Sequence, residues 1–189
     1  MLAMAMALNF THELGDSDLA ELSRRNPGYQ LERDARGRLV VTPTGGESSR
    51  RAAEVLRQLA EWARVSNAGP TFDSSTGFKL ADGSVLSPDA AWIRSERWTA
   101  LTPEEREAFP PLCPDAVFEV RSRSDCADYL RAKMRLYIAN GAATGILIDP
   151  YDRFVEIYRP NRDVELMPYD SVRLGSEVPE FSLDLRALA

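Results

Sequence analysis

The chain is poor in the residues on which much hydrolytic and metal chemistry depends: its 189 residues include one histidine and two cysteines. A Ser-His-Asp or Cys-His triad would have to recruit His12 from a position near the amino terminus. Within one chain, Cys113, Cys126 and a single imidazole cannot complete the four positions of a zinc centre built from several His and Cys ligands. Two cysteines make no disulfide framework either. Long apolar runs are also missing. Met1 to Leu8 is far shorter than the roughly 20 residues of a spanning helix, and no basic residue precedes it as in a signal peptide. The expectation is a soluble, cytoplasmic protein without a membrane partner. Lysine is scarce as well, with only Lys79 and Lys133.

What remains for demanding chemistry is carboxylates, arginines, hydroxyls and the ions that carboxylates hold, for which oxygen ligands favour Mg2+ or Mn2+. The length suits one domain, and 44% hydrophobic with 28% charged residues is an ordinary globular balance. A net charge of −6 argues against indiscriminate coating of nucleic acid. The charge is uneven, however. Between Arg121 and Arg135 stand Arg121, Arg123, Arg131, Lys133 and Arg135 against Asp125 and Asp128, a local cationic excess that can meet phosphate or simply solvate a helix face.

Periodicity gives the elements. Asp16 to Asn26 reads as a short helix capped by Asp16 or Ser17, and Tyr29–Glu32 with Arg38–Thr42 reads as a hairpin around Asp34–Gly37. From Glu47 to Val65, the residues Ala52, Val55, Leu56, Leu59 and Ala63 recur at spacings of three and four, one face of an amphipathic helix. Thr71 to Leu80 is expected to be extended. Ala90–Ile93 reads as a short strand entered through Pro88, and residues 96–114 as a surface helix and connector beginning at Thr102-Pro103. Ala116 to Arg121 is a compact strand in which alternation puts Val117, Glu119 and Arg121 on one face and Phe118 and Val120 on the other. Asp125 to Asn140 is a second amphipathic helix, with Leu130, Met134, Tyr137 and Ile138 in its stripe, Lys133 at its edge and Gly141 as its stop. Thr144–Asp149 then completes a βαβ unit with parallel strands, and Phe154–Tyr158 pairs back on it. Val164 to Ala189 offers one or two weak strands and a tail. The expected division is one domain over 1–189, with an arm at 1–38, a core at 39–158 and a carboxyl-terminal segment at 159–189.

Glu119 is the informative residue, because a carboxylate within an apolar strand costs several kcal/mol when desolvated without a partner. An ion pair with Arg121 on the same face is one reading; a functional acid is the other. Asp89 heads another short apolar strand, so the two acids can converge at one sheet edge beside a cation. That constellation suits a divalent ion and a phosphodiester, with no nucleophilic side chain required. Asp115 reads as the start of its strand, and Ser122 and Ser124 as helix caps or phosphate ligands. Trp62, Trp92, Trp98 and Tyr137 read as packing residues, and both cysteines as free thiols.

The ordered set Ser87-Pro88-Asp89, Phe118-Glu119-Val120-Arg121-Ser122, Leu130 to Tyr137 with its lysine, Gly141 and Leu147-Ile148-Asp149-Pro150 resembles the Uma-type family of restriction-endonuclease-like proteins, within the PD-(D/E)XK nuclease superfamily. The likeness runs from about Leu39 to Tyr158 and includes the Thr42-Pro43-Thr44-Gly45-Gly46-Glu47 lead into the long helix. It implies an α/β fold, a restriction-endonuclease-like core in which helices flank a mixed β-sheet. By the same resemblance, Asp89 and Glu119 are the motif acids and ligands of Mg2+ or Mn2+, and Glu47 matches a position from which related nucleases add a third acid, its alternative being an ordinary acid near a helix start. Arg121 stands in the lysine slot, a departure from the pattern, since arginine stays charged and cannot serve as a base; Lys133 is then the substitute. The resemblance implies a metal-dependent endonuclease acting on nucleic acid, in the first instance DNA, as a homodimer. The rival expectation is a nuclease-fold binding or interaction module that has lost turnover, its acids forming a structural ion pair.

Overall fold

The computed structural model describes residues 6–10, 13–43 and 45–188; His12, Thr44 and the first five residues of the apolar start lie outside them. The chain begins with β1 (Met6–Leu8), α1 (Asp16–Arg25) and the hairpin β2 (Tyr29–Arg33) and β3 (Leu39–Pro43). The long helix α2 (Gly46–Ser66) follows, its Val55, Leu59 and Ala63 buried as the periodicity predicts. The stretch expected to be extended divides into β4 (Thr71–Asp73) and β5 (Phe78–Lys79). A turn separates them, in which Asp73 Oδ1 accepts from the Ser75 amide at 3.0 Å, and the two strands join different sheets.

Next come β6 (Val85–Leu86), β7 (Ala90–Trp92) and the short helices α3 (Ser95–Thr99) and α4 (Pro103–Glu107). In α4, Thr102 and Glu105 satisfy each other's backbone amides, the reciprocal cap that a Thr-Pro-Glu-Glu start favours. The βαβ unit is β8 (Ala116–Val120), α5 (Ala127–Ala139) and β9 (Thr144–Asp149), with β8 and β9 parallel as expected. α5 ends before Gly141, which takes φ 103°, a conformation that suits a residue without a Cβ. The remaining elements are β10 (Phe154–Tyr158), β11 (Glu165–Pro168), β12 (Ser171–Arg173), β13 (Ser182–Asp184) and a closing 3-10 turn at Leu185–Leu188.

Six strands form the central mixed sheet, in the order β11-β10-β9-β8-β7-β4. Alternation along β8 and β9 sorts its two faces. Phe118, Val120, Ile146 and Ile148 pack with α2 residues Val55 and Leu59, whereas Val117 and Leu147 pack with Leu130, Met134 and Tyr137 of α5. Full burial of Leu59 contributes about 1.5–3 kcal/mol, so this sandwich of helix, sheet and helix is where the fold is anchored. The mixed sheet flanked by helices is the expected fold class.

Two parts differ from the expectation. The amino-terminal hairpin belongs to a five-stranded sheet ordered β1-β3-β2-β6-β5, and the boundary drawn between residues 38 and 39 cuts through that hairpin. Its strand β2 carries a buried acid, Glu32. The carboxyl-terminal segment is more than a tail: Val172, Leu174, Phe181, Leu183, Leu185 and Leu188 are all buried in the α2-side core. Their apolar residues recur two apart at 172/174 and 181/183/185, which is the signature of half-buried extended chain.

Candidate active site

The site is built where β7 and β8 part. Their antiparallel register pairs Ala90 with Phe118, and one more step places Asp89 opposite Glu119. In place of a ladder bond, the Val120 amide donates to Asp89 Oδ2 at 2.7 Å. All five residues of β8 are buried, so Glu119 needs partners, and α5 supplies them. Lys133 and Tyr137 are four residues apart on that helix and therefore share a face. Lys133 Nζ lies 2.7 Å from Glu119 Oε1, and the Tyr137 hydroxyl donates to the same oxygen at 3.3 Å. Tyr137, read from sequence as a packing residue, is fully buried but also carries this polar contact.

A third acid, Glu32 of β2, completes the cluster. Its Oε1 lies 2.9 Å from Lys133 Nζ and accepts from the Ser87 amide at 2.7 Å. Glu32, Glu119 and Lys133 are 2%, 5% and 6% exposed, which makes this an interior ion network rather than a surface pair. Glu32, Asp89, Glu119 and Lys133 line one cleft of about 270 Å³. The first turns of α2 form one wall through Ser48 and Ser49, and the β8–α5 loop forms another through Ser122 and Asp125.

Three carboxylates share one cleft with one ammonium, which touches two of them, and the proton affinities reflect it. Burial raises Glu119 to about 8, with Lys133 opposing and the charges of Asp89 and Glu32 adding. Burial likewise raises Asp89 to about 6, opposed by the Val120 amide and Lys133. Burial works against the charge on Lys133, but Glu119 and Glu32 outweigh it and hold the ammonium well above its ordinary range. The cluster thus keeps a permanent cation, while Asp89 and Glu119 hold their protons more tightly than free carboxylates do, the mark of crowded negative charge.

A divalent cation bound there would relieve that crowding. Among the described residues, no three His, Cys, Asp or Glu side chains are grouped to enclose an ion by themselves. Two carboxylates with the remaining positions left to water and substrate oxygens is nevertheless a donor set that suits Mg2+ or Mn2+. Asp89 and Glu119, in one cleft, fit that requirement.

The other two sequence candidates lie elsewhere. Arg121 does not reach the cleft: β8 ends at Val120, and the guanidinium turns to Asp149 Oδ2 at 2.6 Å and Asp152 Oδ2 at 2.9 Å. No ion pair joins it to Glu119, whose partner is Lys133. Glu47 is exposed near the start of α2, with Arg50 at 2.8 Å and Arg51 at 3.2 Å, and does not line the cleft. Ser122 and Ser124 bond each other at 2.9 Å, and Cys126 occupies the cap position of α5, so neither serine is its cap. Asp115 is buried against Arg94 and Arg97. Trp62 packs edge-on to Trp92, and the thiols of Cys113 and Cys126 are free. Glu32 is the residue that sequence reasoning missed. A signal was present: in the predicted hairpin it falls opposite Val40, and an acid facing an apolar residue hints at a buried face.

Among the described residues, no helix is long and apolar enough to cross a membrane. No curated protein matches the chain. Among solved structures, a crystal structure described as "a putative nuclease belonging to DUF820", from Anabaena variabilis ATCC 29413, is similar in fold, with a TM-score of 0.71 and 21% identity over 90% of this chain and 96% of that one. The family model described as "Uma2: Putative restriction endonuclease" matches residues 16–186, a span that contains every element of the cleft. With that match over nearly its whole length, the chain belongs to the Uma2 family.

Proposed function

We propose that the protein is a metal-dependent endonuclease that hydrolyses phosphodiester bonds in DNA through an activated water. The observation that supports this reading is that Glu32, Asp89 and Glu119 line one cleft with a single lysine, which pairs with Glu32 and Glu119, so that negative charge is left for a divalent ion to offset. When bound, Mg2+ or Mn2+ polarises the phosphoryl group and lowers the pKa of a water. Asp89 and Glu119 are the residues that would hold it. Lys133 remains protonated, so its part is that of a fixed positive charge beside the scissile phosphate. Glu32 and the Ser87 carbonyl, 3.4 Å from Nζ, keep that charge in position. We extend the reading to a cytoplasmic homodimer, in which two clefts reach both strands.

The test is nicking of a supercoiled plasmid by the purified chain, with Mg2+ or Mn2+ and with a chelator. Wild type is expected to nick only with metal, and Asp89→Asn and Glu119→Gln to lose both nicking and Mn2+ binding. Lys133→Met, if folded, should cut about 10²–10³-fold more slowly while still binding Mn2+. One observation favours a second reading, an inactive module: Lys133 already pairs with two of the three acids. Folded wild type that neither binds Mn2+ nor nicks DNA would select it.

A further inference from the structure

Beside the cleft lies a set of arginines arranged differently from most in the chain. Many arginines here are held by carboxylates, as Arg57 is by Glu54 and Glu61. Arg123 and Arg153 make no ion pair among the described residues. Each lies over a tyrosine ring instead: Arg123 is 5.1 Å from the centroid of Tyr151, and Arg153 is 5.1 Å from that of Tyr169.

Tyr151 is itself fixed. Arg51 donates to its hydroxyl at 3.2 Å and also to the Leu188 carbonyl at 3.0 Å. The turn that carries Tyr151 is organised by Asp149, whose Oδ1 accepts from the amides of Tyr151 and Asp152 at 3.0 Å each. Arg121 then clamps Asp149 to Asp152. The residue expected in the lysine slot thus orders the β9–β10 turn. The platform begins next to the cleft, because Arg123 follows Ser122, which lines it.

We propose that Arg123 and Arg153 form a phosphate-binding platform that holds the nucleic-acid backbone flanking the bond cut in the cleft, a role that rests on the nuclease reading above. Stacking on a ring fixes a guanidinium plane and so lowers the ordering cost of binding, while its N–H fork stays open to phosphate oxygens. Arg51 and Arg123 both lie over the Tyr151 ring, so the groups offered to the ligand are charged forks rather than an aromatic face. Binding here is therefore to the backbone, independent of base identity and sensitive to salt. In a chain of net charge −6, this local cation pair supplies the attraction that the whole molecule lacks.

The experiment is fluorescence anisotropy of the full chain with a labelled DNA duplex, in chelator so that binding is read without cutting, over a range of salt. The double variant Arg123→Ala plus Arg153→Ala is expected to bind about tenfold or more weakly. Its log–log salt slope should be shallower by about 1.8, or 0.9 for each of two phosphate contacts removed. Tyr151→Leu should weaken binding in the same direction and Tyr151→Phe should retain it, whereas Arg36→Ala in the β2–β3 turn should change nothing. Equal affinity and slope in wild type and double variant overturns the platform, as does a folded wild type that binds no duplex. Wild type that binds the duplex with this Arg123/Arg153 dependence but shows no metal-dependent nicking strikes the nuclease reading and leaves a backbone-binding surface.

Discussion

Two cations that the sequence places on neighbouring elements end in opposite environments. Lys133 sits in the interior, facing two carboxylates with a third acid lining the same cleft, and the charges there do not cancel. Arg121 lies at the end of β8 and bridges Asp149 and Asp152, one buried acid and one exposed, in a turn whose amides also satisfy Asp149. The first network is under-compensated, the feature on which the proposed metal site rests; the second joins one guanidinium to two acids and serves geometry. A cation's distance in sequence from an acid is thus a poor guide to its role. Arg121 is two residues from Glu119 yet belongs to another network, while Lys133, fourteen residues away, is its direct partner.

The largest break in this contrast should come from Lys133→Met. Removing the ammonium leaves Glu119 and Glu32 buried without their common counter-ion, a loss of about 3–5 kcal/mol, or about 10 °C in melting temperature for a chain of this length. Adding Glu32→Gln to that variant should restore part of the loss, because one uncompensated charge is removed. A chemical melt of the single and double variants checks both; equal stability of Lys133→Met and wild type would contradict the interior network.

The pH dependence sharpens the same point. Asp89 and Glu119 bind protons more tightly in the folded chain than in the unfolded one, so the folded state carries the excess protons between their ordinary values and about 6 and about 8 respectively. By linkage, these two groups make metal-free stability decline as pH rises through that window, the reverse of the usual salt-bridged carboxylate. Mn2+ competes with those protons, so the gain in melting temperature on adding it should be larger at pH 8 than at pH 6. A metal-induced gain that falls as pH rises would refute the assignment of these acids.

Arg121→Ala should have a smaller effect, about 1–3 kcal/mol, since Asp149 keeps its two backbone donors. Mn2+ binding should be unchanged in that variant, and duplex binding should weaken as the Tyr151 turn loosens. The smallest effect should follow Glu47→Ala. That acid is exposed and outside the cleft, so nicking, Mn2+ affinity and melting temperature should all stay at wild-type levels.

The parts of this arrangement legible in the sequence are those set by local periodicity. The burial of Val55 and Leu59 on one face of α2, the alternation that separates Phe118 from Glu119, and the parallel pairing of β8 with β9 all follow from spacings within one or two elements. The position of Asp89 beside Glu119 was also readable, because both head or interrupt short apolar strands. What was not legible depends on contacts between distant segments. Glu32 lies in a charged stretch, Glu32-Arg33-Asp34, where its place opposite Val40 is a faint signal; its burial is decided by Lys133 and Ser87, which only the folded sheet brings to it. The outward turn of Arg121 depends on where β8 stops, a boundary that alternation alone does not fix.

The bond from the Val120 amide to Asp89 Oδ2 has a use of its own. Because this backbone hydrogen is held by a side chain instead of a neighbouring strand, its exchange with solvent deuterium depends on what else that carboxylate is engaged with. Val120 is therefore a built-in reporter: its amide signal in a two-dimensional NMR spectrum registers protonation or ligation of Asp89 directly, in the wild-type chain and without any turnover.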